Sequence, residues 1–200
     1  MLVAFEGIDG AGKTTQSKRL FLRLEELGMR VSWSKEPSEG EIGKIVSRAL
    51  EGEINLDQRT LALLFAADRI EHMKSIVRSD IMLLDRYILS SLAYQGVFLP
   101  FEWILEINKW VELPDLIFYL DLSPELAVKR IKGKRSIYHS LDFLNRVREN
   151  YLMLISEEPW KSRTHLVDAS MEEDYVFEKI LNILLLELMR KNEVRGCGER

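Results

Sequence analysis

The sequence predicts an α/β fold in three layers, a five-stranded parallel sheet flanked by helices. Two patterns carry that expectation. Short apolar runs at 2–6, 30–35, 81–85, 116–121 and 165–168 alternate with longer helical stretches, which is how strands buried on both faces and their crossover helices read in a sequence. The first run also passes directly into Gly7-Ile8-Asp9-Gly10-Ala11-Gly12-Lys13-Thr14, the ungapped G-x-x-x-x-G-K-[ST] pattern of a phosphate-binding loop set between a strand and a helix.

Taken in order, Leu2–Glu6 anchors the loop, whose glycines Gly7, Gly10 and Gly12 let the backbone approach phosphate oxygens. Lys13 is placed to lie along the β- and γ-phosphates, and the Thr14 hydroxyl to ligate Mg²⁺. A chance glycine turn is the alternative, but it explains neither the preceding strand nor the helix that follows. Thr15 to Gly28 reads as an amphipathic helix with Leu20, Leu24 and Leu27 on one stripe and Gly28 as its stop.

Further helices are predicted at about 41–51, 57–78, 88–94, 100–111, 123–131, 141–158 and 171–191. Ser123-Pro124-Glu125 suits an N-cap with proline in the first turn, and Ser170 with Glu173 suits a capping box. In such sheets ligands gather at the carboxyl ends of the strands, which singles out Asp9, Glu36, Asp85 and Asp121. The basic stretch Lys132-Gly133-Lys134-Arg135-Ser136 interrupts the compact pattern and reads as a lid over about 132–140.

Two hundred residues with 46% hydrophobic content suffice for one core. We therefore expect a single domain over 1–191 and a polar tail over 192–200. The net charge of −4 argues against a broad nucleic-acid surface, so no nucleic-acid partner is expected. Cys197 is the only cysteine, which rules out an intrachain disulfide and suits a reducing compartment. The apolar N-terminus is too short for a signal peptide, and the apolar stretch near Leu184 is broken by Glu187. The expectation is a cytoplasmic protein with no membrane partner.

The chemistry concentrates in a few segments. Ile81–Asp85 is an apolar strand ending in a carboxylate, as a second Mg²⁺-supporting acid requires; an isolated aspartate there reads more often as a cap or turn residue, a weighting that the complete phosphate loop reverses. Arg86 follows, suited to bidentate binding of a second phosphate, with a surface salt bridge as the alternative. Phe65, Asp68, Arg69 and His72 recur three or four apart, on one helix face. Phe65 could stack on a base and Arg69 donate to its carbonyl; otherwise Phe65 is core and Asp68/Arg69 an exposed ion pair. His72 reads as structural.

The opening Phe5–Thr15, the helix segment Leu64–Arg69, Asp85-Arg86-Tyr87 and Ser90–Gly96 together resemble thymidylate kinase (dTMP kinase), with Glu36-Pro37 and Pro114-Asp115-Leu116 extending the likeness to about Tyr151. The resemblance implies a P-loop NTPase fold of the nucleoside-monophosphate kinase kind with a short lid, transfer of the ATP γ-phosphate to dTMP in dTTP biosynthesis, and a homodimer. It places ATP on Gly7 to Thr15 and dTMP on Asp9, Glu36, Pro37, Phe65, Arg69, Arg86, Tyr94, Gln95 and Tyr151. Asp9 would approach the 3′-hydroxyl, Tyr94 the position of a 2′-hydroxyl, and Arg69 would read thymine.

A phosphate monoester is largely dianionic at neutral pH and needs no general base, so the burden falls on cations: Lys13, Mg²⁺ at Thr14 and Asp85, Arg86, and the lid. The phosphate loop carries no arginine as some relatives do, so Arg130 and Arg135 are the lid cations expected to compensate. Lys35 stands where many bacterial relatives have arginine, and Ser38-Glu39 where they have a glycine pair. The competing readings are another nucleoside-monophosphate or deoxynucleoside kinase, or a nucleotide-switched interaction ATPase; no guanine-reading Asn-Lys-x-Asp segment supports the last.

Overall fold

The computed structural model describes residues 1–77, 79–131 and 137–198. Five strands, β1 (Leu2–Glu6), β2 (Val31–Lys35), β3 (Ile81–Asp85), β4 (Leu116–Asp121) and β5 (Thr164–Asp168), form one parallel sheet in the order β2-β3-β1-β4-β5. The chain steps from β1 outward to β2, back to β3, then across β1 to β4. That reversal opens a crevice at the carboxyl ends of β1 and β3.

Each strand lies within a residue of its apolar run, because a strand covered on both faces has little room for polar residues. Val3, Ala4 and Phe5 of β1 and Leu83 and Leu84 of β3 are fully buried, and the Phe5 and Phe118 rings stand 5.4 Å apart across the β1/β4 pair. The register sets Phe5 opposite Asp85 and Lys35 opposite Asp85, so the ends of β1, β2 and β3 finish level. Polar residues just past those ends therefore share one rim.

Among the described residues the sheet is flanked by α1 (Lys13–Glu26), α2 (Glu41–Leu50), α3 (Gln58–Ser75), α4 (Ile88–Gln95), α5 (Phe101–Ile107), α6 (Pro124–Arg130), α7 (Leu141–Ile155) and α8 (Glu173–Gly198). α1 buries Leu20 and Leu24, but Leu27, expected on the same stripe, is exposed because it is the C-cap residue rather than part of the helix. Gly28, at φ +74°, closes α1 with paired bonds, its own N–H to Glu25 O and Met29 N–H to Leu24 O. The Ser123 hydroxyl caps α6 through Leu126 N–H, as expected from the Ser-Pro-Glu pattern.

Ser170 does not form the expected capping box. Its hydroxyl turns back to Asp168 at 2.6 Å, a nearer acceptor at the end of β5, and α8 begins only at Glu173. α8 also continues beyond the predicted 191, with helical backbone to Gly198. α5 stops at Ile107, short of 111, where the Asn108 amide bonds back to Ile104 O.

The loop glycines divide their duties. A Cβ on Gly7, at φ +143°, would sit 2.6 Å from Leu120 O of β4, so this glycine serves close packing of the loop on the sheet. Gly12, at φ +92°, faces open space and leaves room for a ligand. Gly7→Ala is accordingly expected to cost about 1–3 kcal/mol of stability, read as a lower urea midpoint at unchanged slope. An unaltered midpoint would show that the loop can shift off β4 without strain.

Candidate functional site

The first half of the site is the loop between β1 and α1. Lys13 is buried and its Nζ donates to Ile8 O at 2.8 Å. Burial, with Arg86 nearby, pulls its ammonium down to about 8 against the opposing pull of Asp9, Asp85 and Glu6. A polyphosphate is the natural anion to restore that charge. The Thr14 hydroxyl donates to Asp85, so two hard oxygen donors stand together beside the lysine, the donor type that Mg²⁺ prefers. No group of three or more His, Cys, Asp or Glu that could hold a metal occurs among the described residues. Such an ion would complete its shell with water and phosphate oxygens. A cavity of about 1050 Å³ surrounds this loop, with Lys35, Lys44, Arg48 and Arg130 on its walls.

The second half is a cavity of about 990 Å³ walled by Phe65, Tyr94, Phe98 and Tyr138. It shares Asp9, Glu36, Pro37 and Arg86 with the first, so the two open into each other at that rim. Arg86 is held from several sides: its guanidinium pairs with Asp9, donates to Ser90 Oγ at 3.1 Å and Tyr94 Oη at 3.3 Å, and lies 4.9 Å from the Tyr94 ring centre. Its backbone sits at φ +71°, the only described residue other than glycine with positive φ. Such a conformation persists only where the surroundings enforce it, and such residues cluster at functional sites. Burial alone would raise the Asp9 carboxyl, but Arg86, Lys13 and His139 outweigh it and hold Asp9 at about 2. The Asp9 amide in turn donates to Tyr94 Oη at 2.9 Å. The result is one rim with a cation aimed at both cavities and a carboxylate that stays ionised.

The family model described as thymidylate kinase matches residues 5–180. The chain belongs to the thymidylate kinase family. A "Probable thymidylate kinase" of Methanocaldococcus jannaschii is 44% identical over 161 residues, covering 78% of this chain and 82% of that protein. One of Staphylothermus marinus is 41% identical over 198 residues, covering 94% and 96%. A "Thymidylate kinase" of Xanthomonas oryzae pv. oryzae is 39% identical over 198 residues, covering 94% of this chain and 84% of its own length.

Within this thymidylate kinase fold most residues singled out from sequence converge. Asp9, Gly10, Gly12, Lys13, Thr14 and Thr15 line the phosphate-loop cavity, while Ile8 and Ala11 are buried behind it. Asp9, Glu36, Pro37, Phe65, Arg69, Arg86, Tyr94 and Gln95 line the aromatic-walled one. Gln95 Oε1 is buried without a hydrogen-bond partner within the protein. Arg130 reaches the first cavity and anchors on Ala169 O at 2.9 Å. Arg135, with the rest of the lid from 132 to 136, falls outside the described residues.

Other residues take different places. Asp68 and Arg69 are not an exposed ion pair: both are buried and face different segments. Asp68 accepts from Ser38 N–H at 2.8 Å and Ser38 Oγ at 2.5 Å, tying α3 to the turn after β2. Arg69 Nε and Nη2 bond Glu36, Nη2 also bonds Ser91 Oγ at 2.9 Å, and Nη1 bonds Asn108 Oδ1 at 2.5 Å. That leaves one Nη1 hydrogen for a ligand. His72 is buried against Ser34 Oγ at 2.6 Å, structural as expected. Tyr151 is fully buried; its hydroxyl donates to Glu6 and lies 2.8 Å from Ser90 Oγ, and its ring stands edge-on to Tyr94, so it backs the cavity wall rather than lining it. Asp121 is engaged by Arg148 through two bonds of 2.7 and 2.8 Å and lines neither cavity.

Sequence reasoning missed Glu6, His139 and the segment 49–56 that closes one side of the aromatic-walled cavity. Glu6 left a signal, since a glutamate ending a buried apolar strand is a buried charge that must have partners. His139, whose Nε2 lies 3.7 Å from Asp9 Oδ2, falls within the predicted lid range, but nothing in the pattern marked it out from its neighbours.

Proposed function

We infer that the chain transfers the γ-phosphoryl group of ATP to dTMP, giving dTDP and ADP in the supply of dTTP. The observation that carries this is the shared rim: the phosphate-loop cavity and the aromatic-walled cavity meet at Arg86 and Asp9, so a donor in one and a phosphate monoester in the other face each other across one guanidinium. No residue need remove a proton from a dianionic acceptor, and Asp9, the carboxylate shared by the two cavities, is a poor base because its cations hold it ionised near 2.

Lys13 and the loop amides grip the donor's β- and γ-phosphates, Arg86 holds the acceptor phosphate in line, and Arg130 adds charge on the donor side. Thr14 and Asp85 would hold Mg²⁺, which when bound neutralises charge on the transferring group. Phe65 offers a stacking face to a base such as thymine, with Gln95 on the same cavity lining. Tyr94, packed under Arg86, closes the wall where a 2′-hydroxyl would fall. Two further parts of the proposal are a cytoplasmic setting, where both nucleotides are found, and a homodimer, favoured by the exposed Leu63, Leu105 and Trp110 on and beside α3 and α5.

A coupled ADP-release assay comparing dTMP, dUMP, dCMP, dGMP and thymidine tests the assignment. The expected order puts dTMP first and thymidine far behind, and preference for thymidine would refute a monophosphate acceptor. In the same assay Phe65→Ala should weaken dTMP by about 10- to 100-fold, the usual worth of a base–aromatic stack of 1–3 kcal/mol, with KM for ATP unmoved. Equal loss toward both nucleotides would place Phe65 in the core instead.

A further inference from the structure

Arg86 must hold an unfavourable backbone conformation and still present its guanidinium at a fixed point, and the groups that enforce this lie beneath it. Residues 5 and 6 of β1 grip residues 86 and 87 in sequence: Phe5 O accepts the Arg86 N–H at 3.0 Å, and Glu6 Oε1 accepts the Tyr87 N–H at 3.0 Å. The left-handed residue is thus pinned between two contacts from one strand. The other carboxylate oxygen, Glu6 Oε2, accepts from Ser90 Oγ at 2.5 Å and from Tyr151 Oη at 3.0 Å. With its hydrogen committed to Glu6, Ser90 Oγ turns a lone pair to Arg86 Nη1 at 3.1 Å.

Glu6 itself has no exposed surface and lines neither cavity. It touches no ligand space, yet it fixes the backbone of Arg86 from below and the orientation of a hydroxyl that receives the guanidinium. Burial pushes its carboxyl up to about 7, opposed by the Ser90 hydrogen bond, the charge of Arg86 and the Tyr151 hydrogen bond. Only an acceptor-rich group serves all three donors at once; an amide at this position would offer N–H to hydroxyls that are themselves donating.

We propose that Glu6 is a positioning residue for the acceptor's phosphate, acting through the Arg86–Tyr87 backbone and through Ser90 to aim the Arg86 guanidinium at the rim between the cavities. The proposal rests on the reading of Arg86 as the acceptor-phosphate ligand. It assigns to Glu6 a selective effect: it should govern affinity for the phosphate of dTMP and leave the nucleoside and the donor alone.

The test is calorimetric titration of the wild-type chain, Glu6→Gln and Ser90→Ala with dTMP, with thymidine and with a non-hydrolysable ATP analogue. Glu6→Gln keeps the volume and is expected to weaken dTMP about tenfold or more, the worth of a hydrogen bond to a charged group, while thymidine and the analogue stay within about twofold. Ser90→Ala should shift dTMP in the same direction by less. Parallel weakening of dTMP and thymidine, or no change in either, overturns the inference. If Glu6→Gln does not fold, Ser90→Ala decides, and an unaltered ratio of dTMP to thymidine affinity overturns it. A wild-type chain that binds dTMP and thymidine alike overturns the underlying reading of Arg86, and the inference with it.

Discussion

Arg86→Ala is expected to lower kcat/KM for dTMP by about a thousandfold, at the lower end of what an arginine serving phosphoryl transfer contributes. Among the described residues the guanidinium is the one cation that borders both cavities, so on the proposed reading its loss removes a ligand of the acceptor and a neighbour of the donor together. Two local consequences should follow. Asp9 loses the strongest of the charges that hold its carboxyl down, and Lys13 loses a repulsive neighbour that lowers its ammonium. Binding of an ATP analogue should weaken far less than dTMP turnover falls, because Lys13 and the loop amides keep their places, which separates this effect from collapse of the loop. Arg86→Lys should restore only part of the rate, because a point charge cannot reach Asp9, Ser90 and Tyr94 at once as the fork does. Turnover within a few-fold of wild type in Arg86→Ala would remove this residue from the mechanism.

Arg69→Ala is expected to be the most destabilising single change, by about 3–5 kcal/mol, because it strands a buried carboxylate. Glu36 is 5% exposed and makes its charged contacts with Arg69, with His72 Nδ1 farther away at 3.7 Å. The melting temperature should fall by roughly 6–20 °C for a chain of this size. Asn108 and Ser91 lose a partner at the same time, so α5 and α4 loosen against α3. Combining Arg69→Ala with Glu36→Gln should recover part of the loss, since the amide removes the uncompensated charge. A fall of only a degree or two would mean that Glu36 finds other partners without harm.

The architecture was legible because parallel strands covered on both faces must be short and apolar, and because the phosphate loop announces its own strand and helix. The rim was legible for the same reason: Asp85 ends a strand, Asp9, Glu36 and Arg86 follow strand ends, and parallel register brings strand ends level. What stayed hidden depends on contacts far apart in sequence. Adjacent Asp68 and Arg69 look like an exposed pair on a helix, yet one turns to Ser38 and the other to Glu36 once β2 lies alongside. Tyr151 has the chemistry of a ligand group but is drawn behind the wall by Glu6 and Ser90. At Ser170 a local competitor, Asp168, decided against the capping box.

On the proposed reading the Asp9 amide belongs to the loop that grips one nucleotide, and the Tyr94 hydroxyl it bonds belongs to the chamber that receives the other. A ligand that alters this single contact is therefore felt across the rim. Thermodynamic reciprocity then obliges the enzyme to be even-handed: the factor by which ATP sharpens or blunts the grip on dTMP is the factor by which dTMP acts on ATP.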